Sequence, residues 1–334
     1  MQLIRGAIYS HLSFTDDGKT GRILSNYREF EKKASRIGLT AIGSDGGLPV
    51  KTYRELVEKI SEVAYENNRL VLAYRGQGSD YRVKGTSKRS SLYPTIFRDS
   101  WNEYVINSKN RPLYFKKLTE LAQKMRPEVF KKIEEDESDV DDRTVKVNRV
   151  QRRNYNEQMW AIIQHYELFP TPMIDITQSL QVACSFALSN TSDEHGFIYA
   201  FGLPSIAGSV TYSVDDEMCV ARLQTVCPPQ AIRAHFQEGL LVSKFPSTQR
   251  KADSCNLSNR MLAKFKISKH DFWSDGFHSL DVKTLLPEND PFATELKEIQ
   301  KKVFPDLYQG LDAVKSSEPL ISSPPSELPS NETL

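Results

Sequence analysis

Apolar residues recur every three or four positions between Tyr53 and Ala64, a spacing that predicts an amphipathic helix. Thr52 and Glu55 at its start match the S/T-x-x-E pattern of a capping box, in which two side chains satisfy the first N–H groups of a helix. Helical patterns also cover residues 97–133, 155–168, 180–190 and 291–314.

Short apolar runs bounded by glycines or turn residues predict buried strands elsewhere in the chain. They cover residues 69–78, 196–203, 235–245 and 262–268. Because strands and helices are mixed without a regular βαβ alternation, the pattern favours an α+β fold over a doubly wound sheet. We therefore predict a mixed, mainly antiparallel sheet as the core, with helices flanking it.

The two ends of the chain differ from its middle and suggest three regions. Residues 1–46 alternate apolar and polar positions around a turn-rich stretch, which predicts a β-rich N-terminal extension. Residues 47–315 form the predicted main domain. Residues 316–334 are rich in serine and proline and predict a disordered tail.

Composition and charge narrow the class of protein. The chain has 334 residues, of which 39% are hydrophobic and 26% charged, a balance typical of a globular protein. A net charge of +1 gives no overall attraction to nucleic acid or to an acidic membrane, so a basic site has to be local. The N-terminus lacks the pattern of a secretion signal, and no apolar run reaches the roughly 18 residues of a membrane span. Four cysteines without C-x-x-C spacing are typical of a reducing compartment, and we predict a cytoplasmic protein without a membrane partner.

Motifs for phosphate loops, dinucleotide folds and metal sites are absent from the sequence, and we predict no metal.

The candidate site residues are polar side chains at the ends of apolar segments. Arg75, after the apolar run Leu70–Tyr74, offers a planar fork of donors that suits phosphate or carboxylate. It could equally form a salt bridge inside the core with Asp175.

Asp175, Thr177 and Ser179 interrupt an apolar stretch between two predicted helices. If the chain is extended here, Asp175 and Thr177 share one face, and Ser179 lies at the start of the next helix. These side chains would bind an anion at that helix start, satisfy the N–H groups of the turn, or do both. His165, at the end of the preceding helix, is a hydrogen-bonding candidate whose protonation the helix could tune.

Arg233, Gln237 and Glu238 are the third candidate group. On the predicted strand 235–245, Gln237 and Glu238 would face opposite sides. Only one of them could then point into a site with Arg75. The other interpretation is an exposed Glu238 and a buried, hydrogen-bonded Gln237.

The order of these residues resembles the FRG domain, a family named for an aromatic-Arg-Gly signature. Here the signature is Tyr74-Arg75-Gly76, followed by Gln77. The further matching positions are Leu92, Pro94, Thr95, Arg98, Gln164, His165, Tyr166, Pro170, Thr171, Asp175, Thr177, Ser179, Ala183, Phe186, Ala187, Arg233, Gln237, Gly239 and Phe304-Pro305-Asp306-Leu307. Three positions depart from the family pattern, namely Glu167 for Gly, Pro172 for Arg and Ile176 for Trp. If that Arg and Trp bind a ligand in relatives, this chain binds it differently.

More distantly, the same residues resemble the Arg–Ser–Glu pattern of ADP-ribosyltransferases, which implies that type of fold and NAD as a substrate. The resemblance implies that Arg75 holds the pyrophosphate, within a nucleotide site formed by the signature and by Asp175. Thr177 and Ser179 would position the ribose. Glu238 or Gln237 would take the role of the late glutamate, which offsets positive charge on the ribose as nicotinamide leaves; His165 completes the catalytic candidates. If Gln237 is the inward residue, that carboxylate is missing.

Two functions follow as predictions. The first is an NAD-consuming enzyme, an ADP-ribosyltransferase or NAD glycohydrolase that acts on a protein or nucleic-acid target as an intracellular toxin or defence effector. The second is a non-catalytic module that binds a nucleotide or nucleic acid through Arg75, the basic segment 82–89 and the helix start after Asp175. A third interpretation keeps Arg75, Asp175 and His165 as a buried polar network that only stabilises the fold.

Overall fold

The structure, a computed structural model, describes residues 46–82, 90–136, 156–189, 193–214, 216–244 and 255–311. Apart from Gly46, the predicted N-terminal extension lies outside these residues. The predicted tail and residues 83–89 of the basic segment also lie outside them.

The helices of the described residues are labelled α1 to α8 in chain order. They are α1 Tyr53–Glu66, α2 Arg111–Asp136, α3 Asn156–His165, α4 Leu180–Ser189, α5 Leu223–Val226, α6 Ile232–Phe236, α7 Val282–Leu285 and α8 Pro291–Val303, with 3-10 turns at Thr95–Phe97 and Leu257–Arg260. The Thr52 hydroxyl accepts the N–H of Glu55 at 3.1 Å, and the Glu55 carboxylate accepts the N–H of Lys51 at 2.9 Å. The predicted start of α1 is confirmed, with the glutamate reaching one residue further back than in a standard capping box.

The strands form one large sheet and one short hairpin. They are β1 Leu48–Val50, β2 Val71–Gln77, β3 Ser100–Trp101, β4 Tyr104–Val105, β5 Ile174–Thr177, β6 His195–Leu203, β7 Val210–Ser213, β8 Met218–Arg222, β9 Gly239–Lys244 and β10 Met261–Ser268. The large sheet has eight strands in the order β1-β10-β6-β2-β5-β9-β8-β7, whereas β3 pairs only with β4. β1 runs parallel to β10, and the other neighbouring strands are antiparallel. The prediction of an α+β fold with a mainly antiparallel sheet is confirmed.

Side chains alternate between the two faces of this sheet. On one face, α1 and α4 cover β10, β6 and β2, and α2, α3 and α8 cover β9 and β8. On the other face, a core that includes Phe201, Leu240 and Val242 is covered by the segments around Leu92 and Leu257. β2 and β5 lie at the middle of the sheet, where the two groups of helices meet.

Two glycines allow α4 to lie directly against the sheet. A Cβ atom on Gly76 would lie 1.8 Å from the carbonyl oxygen of Ala183, and a Cβ on Gly196 would lie 2.6 Å from the carbonyl oxygen of Ala187. Both distances are far below the roughly 3.5 Å of ordinary carbon contacts. The glycine of the Tyr-Arg-Gly signature is therefore required by the packing of α4 on β2.

The helical prediction for residues 97–133 is wrong in its first part. The hairpin of β3 and β4 occupies this region, and Trp101 stacks on Tyr104 with ring centroids 6.0 Å apart. Helix α2 begins at Arg111, after a turn in which the Asn107 side chain accepts the N–H of Asn110 at 3.2 Å. This local hydrogen bond competes with a helix that would start earlier.

The strand prediction for residues 235–245 is wrong over its first four residues. Helix α6 ends at Phe236, Gln237 and Glu238 form a turn, and β9 begins at Gly239. Glu238 has a φ of 46°, a left-handed conformation that ends regular structure. The two residues therefore do not alternate across a strand.

Candidate functional site

The sheet is interrupted at its centre, between β2 and β5. Tyr74 and Thr177 form the single register pair between these strands, although β2 continues along β6 and β5 continues along β9. The Arg75 guanidinium lies at this interruption, which we call the central gap, and its Nη1 donates a hydrogen bond to the main-chain oxygen of Asp175. Arg75 thus joins the two strands where their backbones no longer pair.

The Asp175 carboxylate has a different partner. Its Oδ1 lies 2.9 Å from Nδ1 of His165, and the His165 side chain is 1% exposed while that of Asp175 is 34% exposed. Burial lowers the pKa of His165 despite this hydrogen bond, so the imidazole is neutral at neutral pH and Nδ1–H is the donor. Burial alone would raise the pKa of Asp175, but the hydrogen bond from His165 and the charges of Arg75 and Arg233 lower it. The pair is a neutral histidine that orients an ionised, accessible carboxylate.

A second guanidinium, that of Arg98, is close enough to Arg75 for the two charges to interact. Arg98 follows the 3-10 turn Thr95–Phe97, and its Nε donates to the main-chain oxygen of Tyr93 at 3.1 Å. Burial, followed by the charge of Arg75, lowers the pKa of Arg98 to about 10. The Arg98 residue nevertheless remains exposed. A side chain that is flanked by protein but still reachable from solvent is typical of the wall of a cleft.

Arg233, on α6, is a third arginine whose charge acts on the Asp175 carboxylate. It donates to Glu167 at 3.1 Å, and its guanidinium carbon lies 5.9 Å from the ring centroid of Tyr166. Its charge contributes to the lowered pKa values of His165 and Asp175. The charges of three arginines, Arg75, Arg98 and Arg233, therefore interact with a single aspartate.

Several buried polar atoms of this region have no hydrogen-bond partner among the described residues. Within the described residues they include Nε of Arg75, Oε1 of Gln77, Nε2 of His165 and Nε of Arg233. Arg75 and Gln77 are two residues apart on β2 and therefore share a face. Such atoms are rare in folded proteins, and each requires an explanation such as a bound ion or a catalytic role.

Thr177 and Ser179 hold the turn that precedes α4. The Thr177 hydroxyl donates to the main-chain oxygen of Gln237 at 2.6 Å and accepts the N–H of Ser179 at 3.0 Å. The Ser179 hydroxyl accepts the N–H of Val182 at 3.4 Å, as a helix cap does. In the part of the chain that the structure describes, these hydroxyls make the hydrogen bonds expected of a turn.

Gln237 and Glu238 lie at the opposite end of β5 from Asp175. Gln237 is buried, and its Nε2 donates to the main-chain oxygen of Leu285 at 2.7 Å. Glu238 is exposed, and its main-chain oxygen accepts the N–H of Gln178 at 3.2 Å. No hydrogen bond within the described ranges joins either side chain to Arg75.

The Tyr-Arg-Gly-Gln signature is divided between the two faces of the sheet. Tyr74 is 8% exposed and packs in the core beneath α1 and α4. Gly76 faces α4, as its contact with Ala183 requires. Only Arg75 and Gln77 of the four face away from α4.

Two site residues, Arg98 and Arg233, were not predicted from charge pattern alone. Each is a single basic residue within an otherwise ordinary segment, and the only signal for it is its place in an element that resembles the FRG family.

The predicted basic segment is described by the structure only at Arg82, which is paired with Asp80 at 2.7 Å. Asp80 also accepts a hydrogen bond from the buried Lys264 at 3.0 Å, so Arg82 belongs to a structural network.

The FRG domain model matches residues 71–196 of the chain. This range contains Arg75, Arg98, His165 and Asp175, and over it the chain is similar to the FRG domain; Arg233 lies beyond it. No curated protein and no solved structure matches the chain. The resemblance to ADP-ribosyltransferases stays a prediction.

Two further findings concern metals and membranes. Among the residues that the structure describes, no group of three or more His, Cys, Asp or Glu side chains is placed to hold a metal ion. None of the described helices has both the length and the apolar character needed to span a membrane.

Proposed function

We propose that this FRG domain binds a nucleotide-type ligand through a phosphate group, which Arg75 and Arg98 hold at the central gap. The observation that carries the proposal is the proximity of these two guanidinium groups, while the nearby Asp175 carboxylate is hydrogen-bonded to His165. Like charges repel more strongly where water is excluded. An anion bound between the two arginines would relieve that repulsion.

The orientation of Arg75 supports a phosphate as the anion. Nη1 is occupied by the main-chain oxygen of Asp175, whereas Nε is buried without a partner in the described residues. The Nε–Nη2 edge of a guanidinium presents two parallel N–H groups, which match two oxygens of a phosphate. Arg98 is exposed and its charge interacts with that of Arg75, so it would add a second positive charge to the phosphate site from the neighbouring segment.

NAD belongs to this ligand class, and its turnover is the enzymatic alternative. The predicted mechanism of turnover assigns the carboxylate beside the ribose to the segment of Gln237 and Glu238. Gln237 is bonded to Leu285 inside the fold, and Glu238 is exposed in a turn at the other end of β5. Neither residue is placed for that role, so the geometry supports binding better than NAD consumption through Gln237 or Glu238; nicotinamide release from NAD is the measurement that would show otherwise.

The proposal is tested by calorimetric titration of the full chain with NAD, ADP-ribose, AMP and inorganic phosphate at low and raised salt. We expect binding that weakens with salt, because screening reduces the attraction between charges that remain accessible to solvent. Arg98→Ala should weaken binding by about tenfold or more, since a hydrogen bond to a charged group contributes about 1.5–3 kcal/mol. Arg54→Ala is the matched control. It removes an exposed arginine of α1 that is paired with Asp275, and it should leave the affinity unchanged.

Two results would overturn the proposal. One is the absence of binding for all four compounds at low salt. The other is equal loss of affinity in Arg98→Ala and Arg54→Ala, because a general effect of net charge would then explain the binding.

A further inference from the structure

The Asp175 carboxylate has hydrogen-bonding capacity that neither the fold nor a phosphate would use. Its Oδ1 is bonded to His165, and Oδ2 has no hydrogen-bond partner among the described residues. About a third of the side chain, 34%, is accessible. The carboxylate therefore has one oxygen fixed by the protein and one oxygen open to a ligand.

The division of partners around Asp175 explains why this oxygen stays open. A carboxylate beside an arginine ordinarily forms a two-pronged salt bridge with it. Here Arg75 donates instead to the main-chain oxygen of Asp175, and His165 holds the carboxylate through Oδ1. Because Arg75 faces away from α4 and the Asp175 carboxylate faces His165 of α3, a molecule that contacts both has to enter the central gap between β2 and β5.

An ionised carboxylate can only accept hydrogen bonds, so it selects a different chemical group from the one that the arginines select. A phosphate would be repelled by Asp175 and attracted by Arg75 and Arg98. A hydroxyl group would donate to Asp175. A ligand that satisfies both parts of the site carries an anion and hydroxyl donors in one small molecule, as a ribonucleotide does. Acidic side chains accept ribose hydroxyls in the same way in dinucleotide-binding folds.

We propose that Asp175, positioned by His165, accepts the ribose hydroxyls of the ligand, so that the site prefers ribonucleotides to deoxynucleotides. This inference rests on the proposed phosphate site at Arg75 and Arg98. It assigns His165 a positioning role, because its ring is buried and reaches the ligand only through the carboxylate.

The test compares ADP with 2′-deoxy-ADP, 3′-deoxy-ADP and inorganic phosphate by calorimetric titration of the full chain. The wild type should bind ADP at least about tenfold more tightly than one of the two deoxy compounds, because an unpaired polar group in the site penalises the analogue that lacks the hydroxyl. In Asp175→Asn this preference should fall several-fold. Inorganic phosphate should bind to this variant as tightly as to the wild type or more tightly, because a negative charge has been removed from beside the phosphate.

Variants at His165 separate positioning from simple loss of structure. His165→Asn keeps an N–H donor in reach of Asp175 and should retain part of the preference for ADP. His165→Leu has no donor and should lose the preference while still binding inorganic phosphate. A purely structural role for the pair predicts the opposite pattern, in which all ligands weaken together in all three variants.

The outcomes distinguish this inference from the proposed function. Equal affinity for ADP and both deoxy compounds in the wild type, together with loss of binding in Arg98→Ala, would overturn the ribose preference and leave the phosphate site standing. The absence of binding for ADP and phosphate alike would overturn both. A preference for ADP that persists unchanged in Asp175→Asn would overturn the role of Asp175, because another residue would then bind the ribose hydroxyls.

Discussion

Replacement of Gly76 by alanine tests the packing on which the site depends. The added Cβ would lie 1.8 Å from the carbonyl oxygen of Ala183 and 2.9 Å from the main-chain nitrogen of Ala187. These are backbone atoms of α4, so no side-chain rotation can relieve the contact. Restoring a normal separation of about 3.5 Å requires α4 and β2 to move apart by more than about 1.5 Å.

That movement would disturb the contacts of α4 along its whole length. The helix also touches β6 at Gly196 and caps its own start at Ser179. Overpacking of a core typically costs about 1–3 kcal/mol, and a clash with rigid backbone belongs at the upper end or above it. We therefore expect Gly76→Ala to reduce the free energy of unfolding by about 3 kcal/mol or more.

The assay is equilibrium unfolding in urea, followed by far-UV circular dichroism and by tryptophan fluorescence. Gly46→Ala is the matched control, because a Cβ at Gly46 would meet nothing within 4 Å. The reasoning would be refuted if Gly76→Ala and Gly46→Ala both remained within about 0.5 kcal/mol of the wild type, the usual range for surface substitutions. Such a result would mean that α4 does not lie against β2 as described.

Three further predictions concern caps and protonation. Thr52→Ala should destabilise the protein by about 1 kcal/mol, as loss of a helix cap does; Thr52→Ser should restore most of this, and equal urea midpoints for the two variants would contradict the capping role. Asp290 is 2% exposed and accepts hydrogen bonds from the Tyr166 hydroxyl and from the N–H of Arg233. Asp290→Ala should lower the free energy of unfolding by about 3 kcal/mol or more, because several buried donors lose their acceptor. Asp290→Asn retains one acceptor oxygen and should cost less in the same urea titration; a loss below about 1 kcal/mol for the alanine variant would argue against the network. The pKa of His165 is lowered in the folded state, whereas a histidine of the unfolded chain has a pKa of about 6.5. Below that pH the unfolded chain therefore binds more protons than the folded protein. The free energy of unfolding should fall as the pH decreases below about 6.5, by up to about 1.4 kcal/mol per pH unit. His165→Asn should remove this part of the slope, and parallel stability curves for the two proteins between neutral pH and pH 5 would refute it.

The sequence predicted the fold class and much of the site for identifiable reasons. The helix that starts after Thr52 and the strands around Arg75 and Phe201 have strong local patterns, and the structure contains them. The missed elements were short or ended by local turns. The hairpin at Trp101 has two-residue strands, for which periodicity carries no information, and the turn at Glu238 depends on a left-handed backbone.

The candidate site could be predicted only residue by residue. Arg75 and Asp175 were identified because polar side chains at the ends of apolar runs are conspicuous. The sequence left open whether they paired through a salt bridge. In the structure Arg75 donates a hydrogen bond to the main-chain oxygen of Asp175, and the Asp175 carboxylate is hydrogen-bonded to His165. Which partner the carboxylate has depends on the position of β5 relative to α3.

What the sequence determined by itself was the identity of the helices and strands with strong periodicity, and the ordered set of residues by which the chain resembles an FRG domain. Both are local properties, since spacing, caps and turn residues act over a few positions. Tertiary structure alone decided that β2 and β5 separate after a single pair, that Arg98 lies near Arg75, and that Gln237 turns into the fold. These features depend on contacts between segments far apart in the chain, and such contacts decide which of two available faces or partners a side chain takes.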